Sequence, residues 1–243
     1  MKKAIILLCL VLMGSTSMEA QWWGSKKVNG NGSMVTDTRS TSNYDGIALV
    51  GSLDVQIVSG KEGELKVEAE SNLQEYILTE VKDGKLKISV EKNVSLNPSR
   101  NMAILVTVPV ETINSLSVTG SGDVSNSGVL KADELKIGVT GSGDINLTVE
   151  AKELWGAITG SGDIKLTGKA QDFSCKVTGS GDFMAYNLNA KNVEAAVSGS
   201  GDIQVTASQS LKARVSGSGD ISYRGNPEKQ DFKTSGSGDI SQH

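Results

Sequence analysis

A four-residue motif, Gly-Ser-Gly-Asp, occurs seven times in the second half of this 243-residue chain and constrains its fold more than any other feature. Successive copies begin 18 to 21 residues apart. Helical repeats need more than about 30 residues and propeller blades about 40, whereas this shorter interval suits one coil of a β-solenoid. The first glycines of the motifs are Gly120, Gly141, Gly160, Gly179, Gly199, Gly217 and Gly236.

Apolar and polar residues alternate on both sides of each motif, as in strands with one buried face. Such a coil buries its inner face only when neighbouring coils stack on it, at about 4.8 Å per coil. We therefore predict an all-β right-handed parallel β-helix, or solenoid, with coils of about 19 residues; the handedness follows the preference of parallel crossovers. The inward columns read Val118, Val139, Ile158, Val177, Val197, Val215 and Thr234 before the motif, and Val124, Ile145, Ile164, Phe183, Ile203, Ile221 and Ile240 after it.

The motif glycines are predicted to be structural turn residues. Two glycines flanking a serine permit backbone angles with positive φ, which a corner between two strands needs. The predicted turn residues are Gly120, Gly122, Gly141, Gly143, Gly160, Gly162, Gly179, Gly181, Gly199, Gly201, Gly217, Gly219, Gly236 and Gly238.

Residues 1–20 have the features of a secretory signal peptide. Lys2 and Lys3 precede a short apolar run, and small and polar residues follow it up to Ala20. We therefore expect an exported protein without a transmembrane segment in its mature form, located in the periplasm, on the outer-membrane surface or outside the cell. Residues 21–43, rich in Ser, Thr, Asn and Gly, are predicted to be a polar and partly flexible lead-in.

Strand-like alternation continues upstream of the regular repeats. Residues 44–243 are therefore predicted to form a single solenoid domain, with irregular coils over 44–114 and regular Gly-Ser-Gly-Asp coils over 115–243. The segment Gly51-Ser52-Leu53-Asp54 followed by Val-Gln-Ile looks like a degenerate copy of the motif and its strand.

Two local signals refine the irregular part. Asp83-Gly84 lies between alternating runs and indicates a hairpin turn, so antiparallel pairing is also possible there. Residues 93–101 are predicted to be a polar loop that precedes a strand over 102–108.

In order and content, these segments resemble the head GIN domain family of adhesin-like exported proteins, which is common in Bacteroidota. The resemblance covers nearly all of residues 28–243 and implies a β-solenoid and a location in the cell envelope. It brings no established catalytic residues. The matching pieces are Tyr44-Asp45-Gly46-Ile47, the segment 51–57, Val81-Lys82-Asp83-Gly84-Lys85-Leu86-Lys87-Ile88, the repeated motif and Tyr223-Arg224-Gly225-Asn226-Pro227.

Composition excludes several kinds of active site. The sole histidine is His243, which argues against a His-based nucleophilic triad and a His-bearing zinc site. A net charge of −4 without a basic cluster in the sequence argues against nucleic acid or anionic lipid as partner. Cys175, Phe173, Phe183 and Phe232 fall in inward columns and are predicted to be core residues. We predict no catalytic residue and no cofactor.

The motif aspartates form the one column whose role stays open. In one alternative, each carboxylate accepts hydrogen bonds from turn N–H groups or motif serines. In a second, the column binds cations such as calcium, although one carboxylate per coil supplies few ligands. In a third, two carboxylates about 5–5.5 Å apart act as in a retaining glycosidase, although a uniform column offers no distinct pair. The aspartates are Asp123, Asp144, Asp163, Asp182, Asp202, Asp220 and Asp239.

We expect a non-enzymatic, adhesin-like surface or periplasmic protein that presents a rigid solenoid to a surface glycan or an envelope protein. The alternative is a carbohydrate-active β-helix enzyme, a polysaccharide lyase or glycosidase, which needs an acidic pair beside Lys or Arg in a groove. Trp155 and Tyr186 are predicted to be exposed rings. The coil ending at Ile240 lacks an obvious cap, so end-to-end self-association is also open.

Overall fold

The computed structural model describes residues 25–243, and the signal-peptide prediction for residues 1–20 lies outside them. No helix in the described part is long and apolar enough to span a membrane. One short 3₁₀ helix, Gln74–Tyr76, lies between β5 and β6. The strands are β1 (Lys26–Asn29), β2 (Met34–Ser40), β3 (Gly46–Gly51), β4 (Asp54–Ser59), β5 (Glu64–Glu70), β6 (Ile77–Lys82), β7 (Lys85–Val90), β8 (Val94–Asn97), β9 (Leu105–Val110), β10 (Ser115–Gly120), β11 (Val124–Ser127), β12 (Leu130–Gly141), β13 (Ile145–Gly160), β14 (Ile164–Gly179), β15 (Phe183–Gly199), β16 (Ile203–Gly217), β17 (Ile221–Arg224), β18 (Lys229–Gly236) and β19 (Ile240–Gln242).

Parallel coils stacked in register form the body of the molecule. Each strand from β13 to β16 begins just after one motif and ends at the first glycine of the next. The first glycines of neighbouring coils are register partners throughout, and the degenerate motif at Gly51 pairs with Gly120 in the same way. The predicted all-β solenoid with coils of about 19 residues is therefore confirmed, with about 7 turns.

The predicted inward columns form one continuous core. The columns headed by Val118 and Val124 are buried as far as Val215 and Ile221. The side chains at one inward position differ in size from coil to coil: Gly156 lies between Ile137 and Cys175 in register. The ring of Phe183 fills the space that this glycine leaves, because a Cβ at Gly156 would lie 2.4 Å from the ring.

Phe232 departs from the core prediction. Its side chain is 38% exposed, although its ring packs on Tyr223 with the centroids 5.5 Å apart. Its strand β18 pairs with β16 and is exposed along its whole length. The prediction was wrong for this ring because the buried columns end at the preceding coil.

The first solenoid strands along the chain, β3 and β4, form the second coil of the solenoid and not its end coil. Strand β3 pairs in parallel with both β7 and β10, and β4 pairs in parallel with both β9 and β11. The end coil is therefore built from β7 and β9, after which the chain returns to β10. Strands β5 and β6 extend the two sheets further by antiparallel pairing with β9 and β7.

The hairpin predicted at Asp83-Gly84 is present. Both residues have positive φ, 52° and 73°, and they join β6 to β7 as a two-residue turn of the kind that favours Asp-Gly. The predicted loop over 93–101 contains β8, which pairs with β1 of the lead-in. The next strand begins at Leu105 instead of residue 102, and β2 of the lead-in pairs with β5.

Candidate functional site

The motif aspartates form a hydrogen-bonded ladder along one corner of the solenoid. At each step the main-chain N–H of one aspartate donates to Oδ1 of the aspartate one coil earlier, at 2.8–3.3 Å. The donor is thus a turn N–H and not a motif serine. The Asp ladder comprises Asp54, Asp123, Asp144, Asp163, Asp182, Asp202, Asp220 and Asp239.

The motif glycines bring the main chains of neighbouring coils together at this corner. The N–H groups of Ser161 and Gly162 both donate to the carbonyl oxygen of Gly141, at 2.8 and 3.0 Å, and the pattern repeats in the other coils. Gly160 has a φ of 127°, and a Cβ on it would lie 2.3 Å from that same oxygen. A side chain at this position is therefore excluded by both strain and contact.

Burial distinguishes the first rung of the Asp ladder. Burial raises the pKa of Asp54 at the first rung, while the N–H of Asp123 opposes that rise. No group of three or more His, Cys, Asp or Glu side chains within residues 25–243 is placed to hold a metal ion. The main-chain hydrogen bonds of the ladder give its carboxylates a role in stacking the coils.

A second surface is more varied, and we call it the flat face. It consists of the outward residues of the strand segments that end at the first glycine of each motif, from β10 to β18. Register is continuous across this surface, whereas the irregularities of the long strands fall between Lys165 and Thr167 and over residues 185–192. Differences in repeat length are therefore accommodated in those irregular segments, and the flat face stays regular.

A groove of about 320 Å³ lies along one edge of the flat face. The half-buried indole of Trp155 forms one end, and the small side chain of Ser174 leaves room beside it. Glu194 and Lys212, paired at 2.6 Å, form the other end. The ammonium of Lys136 lies 5.4 Å from the centroid of the Trp155 ring. We call this depression the Trp155 groove.

Fixed polar groups form the rim of the Trp155 groove. The amide nitrogen of Asn192 donates to Oδ1 of Asp172, and the hydroxyl of Ser210 donates to Oδ1 of Asn192, both at 2.8 Å. A ring that offers an apolar face beside preplaced amide, hydroxyl and carboxylate groups matches the alternating apolar and polar surface of a sugar. The sequence predicted exposed rings at Trp155 and Tyr186, but both rings are half-buried, and it did not predict this rim.

Three cations line a second depression on the flat face, of about 310 Å³, around Ala196. We call Lys176, Arg214 and Lys233 the basic cluster; register places them with Ala196 in one column. Arg214 donates to the carbonyl and carboxylate of Asp231, which lowers the pKa of that carboxyl. The three residues are far apart in sequence, so only the stacking of coils makes a cluster of them.

The remaining sequence candidates lie away from both depressions. Tyr186 is half-buried off the flat face, between Arg224 at 4.1 Å from its ring centroid and His243 at 6.0 Å. Cys175 is a buried core residue, as predicted, and burial raises the pKa of its thiol. A buried and protonated thiol has no nucleophilic role.

A profile of the family described as "Putative auto-transporter adhesin, head GIN domain" matches residues 43–227. The chain belongs to this family. The resemblance predicted from the motif and the upstream segments is thereby confirmed for this head GIN domain protein. No curated protein matches the chain.

Solved structures with the same fold cover almost the whole described part of this head GIN domain protein. A putative adhesin from Bacteroides fragilis aligns with a TM-score of 0.83 and 27% identity, over 89% of this chain and 100% of that one. A putative lipid binding protein from Parabacteroides distasonis aligns with a TM-score of 0.74 and 29% identity, over 90% of this chain and 100% of that one. A putative adhesin from Parabacteroides merdae, at 23% identity and a TM-score of 0.68, shares the fold over 90% of this chain and 100% of that one.

Proposed function

We propose that this protein is an exported, non-enzymatic, adhesin-like protein that holds a surface glycan on the flat face of its solenoid. The observation that carries the proposal is the Trp155 groove, where an accessible indole lies beside a hydrogen-bonded rim on a sheet without a register break. Aromatic rings and preplaced polar groups are the usual components of a carbohydrate site.

The rigidity of the surface supports binding over an extended ligand. Each coil of the flat face is fixed by in-register pairing on both sides from β12 to β16, and each buries its inner columns against its neighbours. A preformed surface loses little conformational entropy when a ligand settles on it, so a shallow site can bind usefully.

The names of similar structures favour binding over catalysis. The Bacteroides fragilis structure is called a putative adhesin and the Parabacteroides distasonis structure a putative lipid binding protein, and neither name describes a reaction. An enzymatic role needs two carboxyl groups made different by their surroundings. Within the Asp ladder, each carboxylate from Asp54 to Asp220 instead accepts the main-chain N–H of the next aspartate. The Trp155 groove does hold an acidic pair beside a lysine, Asp172 and Glu194 with Lys212, so the enzyme alternative applies to this groove and the experiment below decides it.

A glycan array probed with residues 21–243 tests this proposal. We expect binding to a restricted set of glycans, and we expect those glycans to remain intact on long incubation. Release of new reducing ends or of unsaturated sugars would instead support the polysaccharide lyase or glycosidase alternative. Capture of an envelope protein with no glycan bound on the array would also contradict the proposal.

A further inference from the structure

We infer that the glycan held by the flat face is acidic, and that the basic cluster of Lys176, Arg214 and Lys233 binds its sulfate or carboxylate groups. This inference rests on the proposed function, because it names the class of glycan that the same face would take.

The charge of the flat face differs from that of the chain. The whole chain has a formal net charge of −4. The outward column seven residues before each motif carries Glu134, Glu153, Asp172 and Lys229. The three outward columns nearer the motif nevertheless carry five cations and only two carboxylates. They are Lys136, Lys176, Lys212, Arg214 and Lys233, with Glu194 and Asp231.

The two carboxylates of these three columns are already engaged. Glu194 pairs with Lys212, and Asp231 pairs with Arg214. Lys176 and Lys233 form no ion pair within residues 25–243. These two ammonium groups therefore leave an excess of positive charge at the depression around Ala196, which an anionic group of a ligand would neutralise.

The basic cluster and the Trp155 groove are adjacent columns of the same sheet. Lys176 and Arg214 follow the groove residues Ser174 and Lys212 by two positions each, which is about 6.6 Å along a strand. The cluster spans three coil steps from Lys176 to Lys233, or about 14 Å. An extended glycan lying along the solenoid axis would contact both columns.

The polar groups of this surface also set the orientation of the glycan. The carboxylate of Asp172 lies on the rim of the groove, four positions before Lys176, or about 13 Å along the strand. Seryl hydroxyls of Ser198 and Ser216 line the cluster on its other side. The acidic groups of the glycan would therefore face the cluster, and its hydroxyls would face the rim.

The surroundings of the cluster favour a glycan over an anionic membrane. Binding to a lipid surface combines charge with apolar side chains that enter the bilayer. The depression around Ala196 is lined by the buried side chains of Val197 and Val215, by the aliphatic stems of the three cations and by seryl hydroxyls, and none of the exposed large apolar residues lies in it. The exposed large apolar residues of the described part are Met34, Val35, Val50, Leu78, Val129 and Phe232.

A titration of residues 21–243 with two acidic polysaccharides, chondroitin sulfate and polygalacturonate, tests the inference against neutral mannan. We expect at least one acidic polysaccharide to bind more tightly than mannan. We expect K176Q/K233Q to weaken that binding roughly five- to tenfold, the effect of two exposed charges. Raising the ionic strength from about 0.15 M to about 1 M should weaken it further, because the Debye length falls from about 8 to about 3 Å.

The matched control is K165Q/K169Q, which removes the same charge from exposed positions off the flat face. Equal weakening by the two double variants would overturn the inference, because it would mean nonspecific attraction. Tight binding of mannan that Trp155→Ala abolishes and K176Q/K233Q leaves unchanged would also overturn it, while the proposed function would stand. Binding to phosphatidylglycerol vesicles without binding to any polysaccharide would contradict both.

Discussion

The main-chain N–H of Asp182 donates a 2.8 Å hydrogen bond to Oδ1 of Asp163, and the same contact joins the other motif aspartates along the solenoid. Two carboxylates one coil apart repel by about 0.9 kcal/mol in water. A hydrogen bond from an N–H to a carboxylate is stronger than one to a neutral acceptor and offsets this cost. The repeated acid therefore helps to stack the coils.

Substitutions at Asp163 separate its hydrogen bond from its charge. Asp163→Ala leaves the N–H of Asp182 without its partner, and we expect the free energy of unfolding to fall by about 1–2 kcal/mol. Asp163→Asn keeps an acceptor and removes repulsion, so we expect a change of less than about 0.5 kcal/mol. Urea unfolding of the two variants measures both. An equal loss in both would mean that the charge itself matters.

We propose that the Asp ladder does not depend on calcium. One oxygen of each carboxylate from Asp54 to Asp220 already accepts a main-chain N–H, and each coil contributes only one carboxylate to the ladder. Extracellular calcium modules bind with dissociation constants of about 0.1–1 mM, through several oxygen ligands. We expect millimolar calcium to leave the melting temperature unchanged and to release no heat in calorimetry. A rise in melting temperature that a chelator reverses would restore the cation alternative.

Gly156 and Phe183 are expected to be energetically coupled. Gly156→Ala would place a methyl group 2.4 Å from the ring, and overpacking of this kind costs about 1–3 kcal/mol. Adding Phe183→Leu should recover part of that loss, as measured by a double-mutant cycle of thermal unfolding. The control is Gly138→Ala, because a Cβ there meets no atom within 4 Å. Equal effects of the two glycine substitutions would show that backbone flexibility, and not the ring, decides the cost.

Glu70 is predicted to make the first end of the solenoid sensitive to acid. Its buried carboxylate accepts hydrogen bonds from the hydroxyl and N–H of Ser99, at 2.6 and 2.8 Å, and from the N–H of Gly32. The hydroxyl of Ser99 is the main reason that the pKa of Glu70 lies below its ordinary value of 4.5. A lowered pKa gives stability that is present above 4.5 and is lost as the pH falls through the folded-state pKa.

We therefore expect Glu70→Gln to lower the melting temperature at neutral pH, and the gap from the unsubstituted protein to narrow in acid. Melting curves across the acidic range measure this. Glu68→Gln is the control, because Glu68 is exposed on the same strand. A gap that stays constant with pH would show that the ionisation of Glu70 is not linked to folding.

The regular coils follow from the sequence because every coil repeats the same local contacts. The interval between motifs and the columns headed by Val118 and Val124 are enough to predict stacking in register. The order of the first coils does not follow from the repeat in this way. Strand β3 pairs with both β7 and β10, and these pairings join segments that are distant in sequence. Exposure of Phe232 likewise depends on where stacking ends.

The candidate site is less predictable than the fold for a related reason. Trp155 is conspicuous as a single residue, but Asp172, Asn192 and Ser210 acquire a joint role only when three coils are aligned. Aligning the repeats on their first glycines brings these residues into one column. The hydrogen bonds along that column and the volume of the groove are properties of the packed side chains.

The measurement that tests the glycan-binding account most directly is the affinity of Trp155→Ala for whichever of chondroitin sulfate and polygalacturonate binds the unsubstituted protein more tightly, compared by calorimetry with that of Tyr186→Ala. Both rings are half-buried, but only Trp155 lies on the flat face. The account predicts roughly tenfold weaker binding for Trp155→Ala and no change for Tyr186→Ala, at equal melting temperatures. Unchanged binding by Trp155→Ala, or equal losses in both variants, would contradict it.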